Sequence, residues 1–146
     1  MKRSRAELAA HLMKAARGAD LPLAVCEDLY SAAFYLSAAD VARIALDMGQ
    51  GGPELGALMI ALDEVECGRP VPLSSSLATA LAAARGWRLQ DGRKIRDVPE
   101  RPGGPLEISD GVWEQLDHFA ARTYVPESEE SRSRGAGAGA GAIDND

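Results

Sequence analysis

Aromatic side chains are scarce here: two Trp, three Tyr and two Phe make up 5% of 146 residues. A core built on ring clusters is thereby excluded, and the interior falls to Leu, Ala, Val and Met. Faces lined with Ala let helices approach closely but bury little area per residue, which points to helix–helix packing and a self-associating surface. Two cysteines, Cys26 and Cys67, cannot form a disulfide framework, so a reducing cytoplasm is expected. No run approaches the eighteen or so apolar residues of a membrane span. The opening Met1-Lys-Arg-Ser-Arg-Ala-Glu-Leu8 is basic, yet its apolar residues fall at helical spacing and His11 and Lys14 interrupt them, so no secretory leader is expected. A formal net charge of −6 supplies no overall basic field for nucleic acid or an anionic membrane. Lys2, Arg3, Arg5, Lys14, Arg17, Arg85 and Arg88 are spread over different elements rather than stacked in one stripe.

What is present is a chain of ordinary single-domain length with 46% hydrophobic and 26% charged residues. Its Ala-, Arg- and Gly-heavy composition suits a bacterial protein. Ser4-Arg-Ala-Glu7 is a capping box opening a helix that carries Leu8, Leu12 and Ala15, with Gly18 as its left-handed stop. Pro22 suits a first turn, with Asp20 as its cap, and Val25, Leu29, Ala33 and Leu36 follow at steps of about four. Ser37 either caps a new helix through Val41, Ile44 and Ala45 or kinks a continuous one; Gly49 closes it. After the breaker Gly51-Gly-Pro53, the stripe Leu55, Leu58, Met59, Leu62 and Val65 is the strongest in the chain, ended by Gly68. Ser74-Ser-Ser76 offers caps for a helix through Leu77, Leu81 and Ala84, stopped by Gly86. Residues 87–98, with Asp91-Gly92 between apolar runs, predict a β-hairpin, and Leu106-Glu-Ile108 is a candidate third strand. Ser109 or Asp110 caps a last helix with Val112, Leu116, Phe119 and Ala120 inward, closed by Pro126. The expected class is α+β, mostly α. A compact helical domain with a small antiparallel hairpin or three-stranded sheet spans 1–125, and an extended Gly/Ala-rich tail spans 126–146.

Catalytic spacings are missing. His11 and His118 form no metal-protease motif and read as rim or surface residues. The two cysteines lack the spacing of a metal or redox pair and read as buried, inert thiols. Asp63, Glu64 and Glu66 crowd the end of the strongest helix, where a solvated polar face accounts for them. Ser74 to Ser76 sit in no nucleophile elbow, and capping is their expected role. No cofactor or metal site is expected.

The tail is the informative part. Arg132 and Arg134 beside a glycine-rich run can cradle an anion, because bare amides and guanidinium forks both bind phosphate or carboxylate. Ser128 and Ser131 offer hydroxyls, and Val125-Pro126 suits an extended run against a groove. Arg122-Thr-Tyr-Val-Pro126, Ser128-Glu-Glu-Ser-Arg132, Arg134-Gly-Ala-Gly-Ala-Gly139 and Asp144-Asn-Asp146 resemble the ending of a bacterial family known as domain of unknown function 3726. Ser4-Arg-Ala-Glu-Leu8 and Lys14-Ala-Ala-Arg-Gly-Ala19 resemble that family's opening helix, and Glu27 falls where it has an acidic pair. The likeness covers about forty residues at each end and the middle only loosely. Leu23-Ala24 stand where the family has Trp-Gly, and the middle is shorter. The resemblance implies no particular activity, but it favours an ordered tail over a linker.

Two functions follow as expectations. The first is a cytoplasmic, non-enzymatic domain that assembles with itself or another protein subunit, using the tail as an arm. The second is an enzyme or binding protein for a small anionic ligand. There Arg17, Arg132 and Arg134 would clamp the anion, Ser128 and Ser131 would contact it, and Glu27 or Asp144 would serve as acid or base.

Overall fold

The computed structural model describes residues 1–123. Its elements follow from local rules in the sequence. Ser4 accepts the Glu7 amide and starts α1, Arg5–Gly18; the short strand β1, Lys2–Arg3, precedes it. Gly18 is the last helical residue rather than a left-handed stop. A Cβ at Gly18 would sit 1.7 Å from the Phe119 carbonyl oxygen, so the glycine is there for close approach of two helices. The left-handed residue is Asp20, at φ 61°, and the N-cap of α2, Leu23–Ala32, is Pro22 rather than Asp20.

Ser37 starts a new helix. Its hydroxyl accepts the Asp40 amide while Asp40 accepts the Ser37 amide, a reciprocal box that opens α3, Ala38–Met48. The turn after it is made by Gly51 and Gly52 at φ 93° and 78°, not by Gly49, which stays right-handed. Helix α4, Pro53–Glu66, has proline in its first turn and no cap of its own; Asp47 of α3 reaches across to accept the Glu54 and Leu55 amides, each at 2.9 Å. Ser75 caps α5, Ser76–Ala84. Strands β2, Arg88–Gln90, and β3, Arg93–Ile95, form the hairpin expected around Asp91 and Gly92, both at positive φ. Strand β4, Leu106–Glu107, does not extend that hairpin. It pairs antiparallel with β1, so the sheet expected to have up to three strands is instead two separate two-stranded ribbons. Ser109 caps α6, Asp110–Ala120, which ends in a 3₁₀ turn at Ala121–Thr123, ahead of Pro126.

The packing is a helical array with a ribbon at each side. Helix α1 lies between α2 and α6; α5 backs α2 and carries the hairpin, while α3 bridges α6 and α4. Leu8, Leu12, Leu29, Ile44, Leu62 and Leu116 are wholly buried at its centre. The expected inward stripes of α1, α2 and α4 are all buried, while Val112 of α6 is only half-buried. The fold is α+β and mostly α. Among the described residues no helix is long and apolar enough to cross a membrane.

Candidate functional site: a basic groove beside the hairpin

The loop leaving α4 and the outer strand of the hairpin run alongside each other. Gly68 reverses the chain at φ 85°, Pro70 and Pro72 keep it extended, and the Val71 amide donates to the Gly92 carbonyl at 3.1 Å. A Cβ at Gly92 would lie 2.2 Å from the Val71 carbonyl oxygen, so this seam requires glycine at the turn. Between the α4 end and β3 the two segments leave an open groove of about 410 Å³. Arg69 lies on one wall, and Arg93, Lys94 and Arg96 lie on the other. All four are exposed.

Strand geometry adds a backbone component. Gln90 and Arg93 close the two-residue turn as a hydrogen-bonded pair, so Leu89 and Lys94 form the next, non-bonded pair. That register turns the Lys94 N–H and C=O away from β2, toward any segment laid along the free edge. Ile95, also in the groove and 39% exposed, supplies an apolar foothold. Among the described residues, Arg93, Lys94 and Arg96 form no ion pair, whereas Arg69 is held by Glu64 at 2.7 Å. The Lys94 ammonium lies 5.9 Å from the ring of Trp87, which is itself buried beneath it.

One carboxylate, Glu66, reaches the groove wall, and its charge is already engaged. It accepts the Trp87 indole N–H at 2.9 Å and lies 3.4 Å from the Arg85 guanidinium. Arg85 is the hub behind the wall. It contacts Asp63 at 2.8 Å and Asp28 at 3.4 Å, tying α5 to α2 and α4. Burial works against the Arg85 charge, but the Asp63 hydrogen bond and the three surrounding carboxylates outweigh it and raise its pKa. Burial also pushes the Asp28 carboxyl up, and the nearby Arg85 only partly offsets that. The acidic end of α4 is therefore more than a solvated face: Asp63 and Glu66 hold the hub, and Glu64 holds Arg69.

Two other recesses are explained by the fold. A cleft of about 460 Å³ lies over Asp40, whose second oxygen accepts the Ser76 hydroxyl at 2.5 Å. There the box that starts α3 is joined to the first turn of α5 by Ser76, while Ser75 caps α5 as expected of that serine run. A shallower recess holds His11, stacked 4.2 Å from Trp113, which also carries the Arg3 guanidinium at 4.1 Å. His11 Nε2 lies 2.8 Å from the Asp117 carboxylate, a contact between α1 and α6. Burial lowers the His11 pKa, with the Asp117 charge opposing it. His118 is exposed, 3.5 Å from Arg122.

The candidate residues read from sequence lie elsewhere. Arg17 and Glu27 are exposed on α1 and α2 and line none of these three recesses. Ser128, Ser131, Arg132, Arg134 and Asp144 fall outside the described residues. Cys26 is buried, with burial raising its thiol pKa against the Arg17 charge; Cys67, expected buried, is exposed just past α4. The basic wall was missed although Arg93-Lys-Ile-Arg96 is a visible cluster in the sequence. Counting charge over the whole chain hid it. Among the described residues no group of three or more His, Cys, Asp or Glu is placed to hold a metal. No protein-family model, no curated protein and no solved structure matches this chain.

Proposed function

We propose that this chain is a protein-docking domain, cytoplasmic and non-enzymatic, that receives an extended acidic segment in the groove between α4 and β3. The observation that carries this reading is the coincidence of four exposed cations, an apolar side chain and an unpaired strand edge in one open channel. A strand laid along β3 would gain main-chain hydrogen bonds from Lys94 and charge complementarity from the walls. Nucleic acid fits less well: the net charge is −6, and among the described residues no aromatic side chain lines the groove, Trp87 being buried beside it. Membership of the family of unknown function 3726, which the likeness of both chain ends suggests, belongs to the same proposal. An enzyme for a small anion stands behind it, because Arg17 and Glu27 lie away from the groove.

Fluorescence anisotropy on the full chain tests the reading. A labelled extended peptide with three or more glutamates should bind, its lysine counterpart should not, and binding should weaken steeply with salt. The double substitution Arg93→Glu with Arg96→Glu should weaken it by about tenfold or more at unchanged Tm. Equal binding by wild type and double variant would sink the proposal.

A further inference from the structure

The groove faces a chain that carries its own acidic segment. Glu127, Glu129 and Glu130 stand within four residues, directly after Pro126. Proline disfavours a helical conformation at Val125 and cannot continue α6, so the acidic stretch is set off from that helix. Its three carboxylates match a channel in which Arg93, Lys94 and Arg96 form no ion pair among the described residues, while Arg69 is held by Glu64 and Glu66 is engaged by Arg85 and Trp87. We infer that residues 127–130 of one copy of this chain dock in the basic groove of a second copy, the second copy returning the same contact. This inference rests on the reading of the groove as an acidic-peptide site.

Chain length favours the exchange over self-docking. From Thr123, the last described residue, Glu127 to Glu130 lie four to seven residues on, a reach of about 14–24 Å at full extension. Thr123 follows α6, which packs on α1 and α3, whereas the groove belongs to α4 and β3. Phe119 packs on Gly18 at the close of α1, and Leu21, three residues on, meets Gly52 at the start of α4, whereas the groove lies at the other end of α4, at Val65 and Glu66. The fourteen residues of α4 alone span about 20 Å, which takes up most of that reach. A partner copy removes this constraint, because it can bring its groove to the tail. Two-fold exchange also closes on itself, burying both acidic arms and both grooves in one dimer rather than an open filament.

Charge exchange between full-length chains tests this. One variant carries Glu127→Lys, Glu129→Lys and Glu130→Lys; the other carries Arg93→Glu, Lys94→Glu and Arg96→Glu. All these side chains in the groove are exposed, and unchanged circular dichroism and Tm verify folding. Sedimentation equilibrium at low salt should show a wild-type dimer and, for each variant alone, dimer affinity weaker by about tenfold or more. An equimolar mixture of the two variants should regain the dimer, since each reversed arm then meets a groove of opposite sign. Wild-type chain that stays monomeric while still binding the acidic peptide would overturn the exchange and leave the docking reading intact, with another protein as partner. A monomer in which amides 127–130 are protected in wild type but not in the groove variant would also overturn it, in favour of self-docking. Failure of the mixture to recover, with both variants folded, would overturn it too. A wild-type chain that neither dimerises nor binds the acidic peptide would remove both readings.

Discussion

Asp28 shows how one side chain is set by its surroundings. On sequence it is an ordinary carboxylate next to Glu27 on a helix. In the fold it is half-buried against Arg85, and desolvation raises its pKa even with that cation 3.4 Å away. A carboxyl whose folded pKa lies above its unfolded value contributes stability that is complete below the unfolded pKa, about 3.9, and fades as pH climbs through the folded value. Wild type should therefore lose stability relative to Asp28→Asn as pH rises through that window. Urea denaturation of both proteins from about pH 3 to about pH 7 measures the difference. A difference that stays constant across the range would mean that Asp28 is not desolvated in the folded state. Gly18 is the complementary case, where the absence of a side chain is what the residue supplies, because α1 and α6 meet at its Cα.

At the scale of elements, the caps of α1, α3, α5 and α6 were legible, while those of α2 and α4 were not: Pro22, not Asp20, precedes α2. Ser4, Ser37, Ser75 and Ser109 each cap the helix that follows, as short-range hydroxyl-to-amide geometry dictates. Helix α4 has Gly52-Pro53 at its start and no local cap; its amides are satisfied by Asp47, seven and eight residues upstream on another helix. Asp47 is buried and accepts two amides, so Asp47→Ala should cost about 2–3 kcal/mol, against about 1 kcal/mol for the local cap removed by Ser75→Ala. Chemical denaturation at neutral pH separates these values. Equal costs would show that Asp47 is not what holds the start of α4. The strands followed the same division: the Asp-Gly hairpin is a local instruction, while β4, a candidate third strand, pairs with β1, a strand the sequence did not announce.

Across the whole molecule, stability is expected to be uneven. Leu8, Ala9, Leu12, Ala15 and Ala16 of α1 are fully buried between α2 and α6, whereas every residue of β3 is exposed. Amide exchange in the native state should be slowest along α1 and α2 and faster by orders of magnitude in the hairpin. Equal protection in the two regions would contradict that ranking. A groove wall near the lower end of local stability can adjust to an incoming strand at little cost to the core, and its basic side chains can change without disturbing the packed helices.

The sequence by itself determined the helices, the serine caps of four of them, the hairpin turn and the α+β class, because hydrophobic period, hydroxyl caps and positive-φ turns act over a few residues. Tertiary structure alone decided that β1 and β4 form a separate ribbon, that Asp47 caps a distant helix, and that Arg85 gathers Asp28, Asp63 and Glu66. It also decided that Arg69 faces Arg93, Lys94 and Arg96 across one channel in a chain of net negative charge. Such juxtapositions depend on contacts between different elements, and no pattern within a single element encodes them.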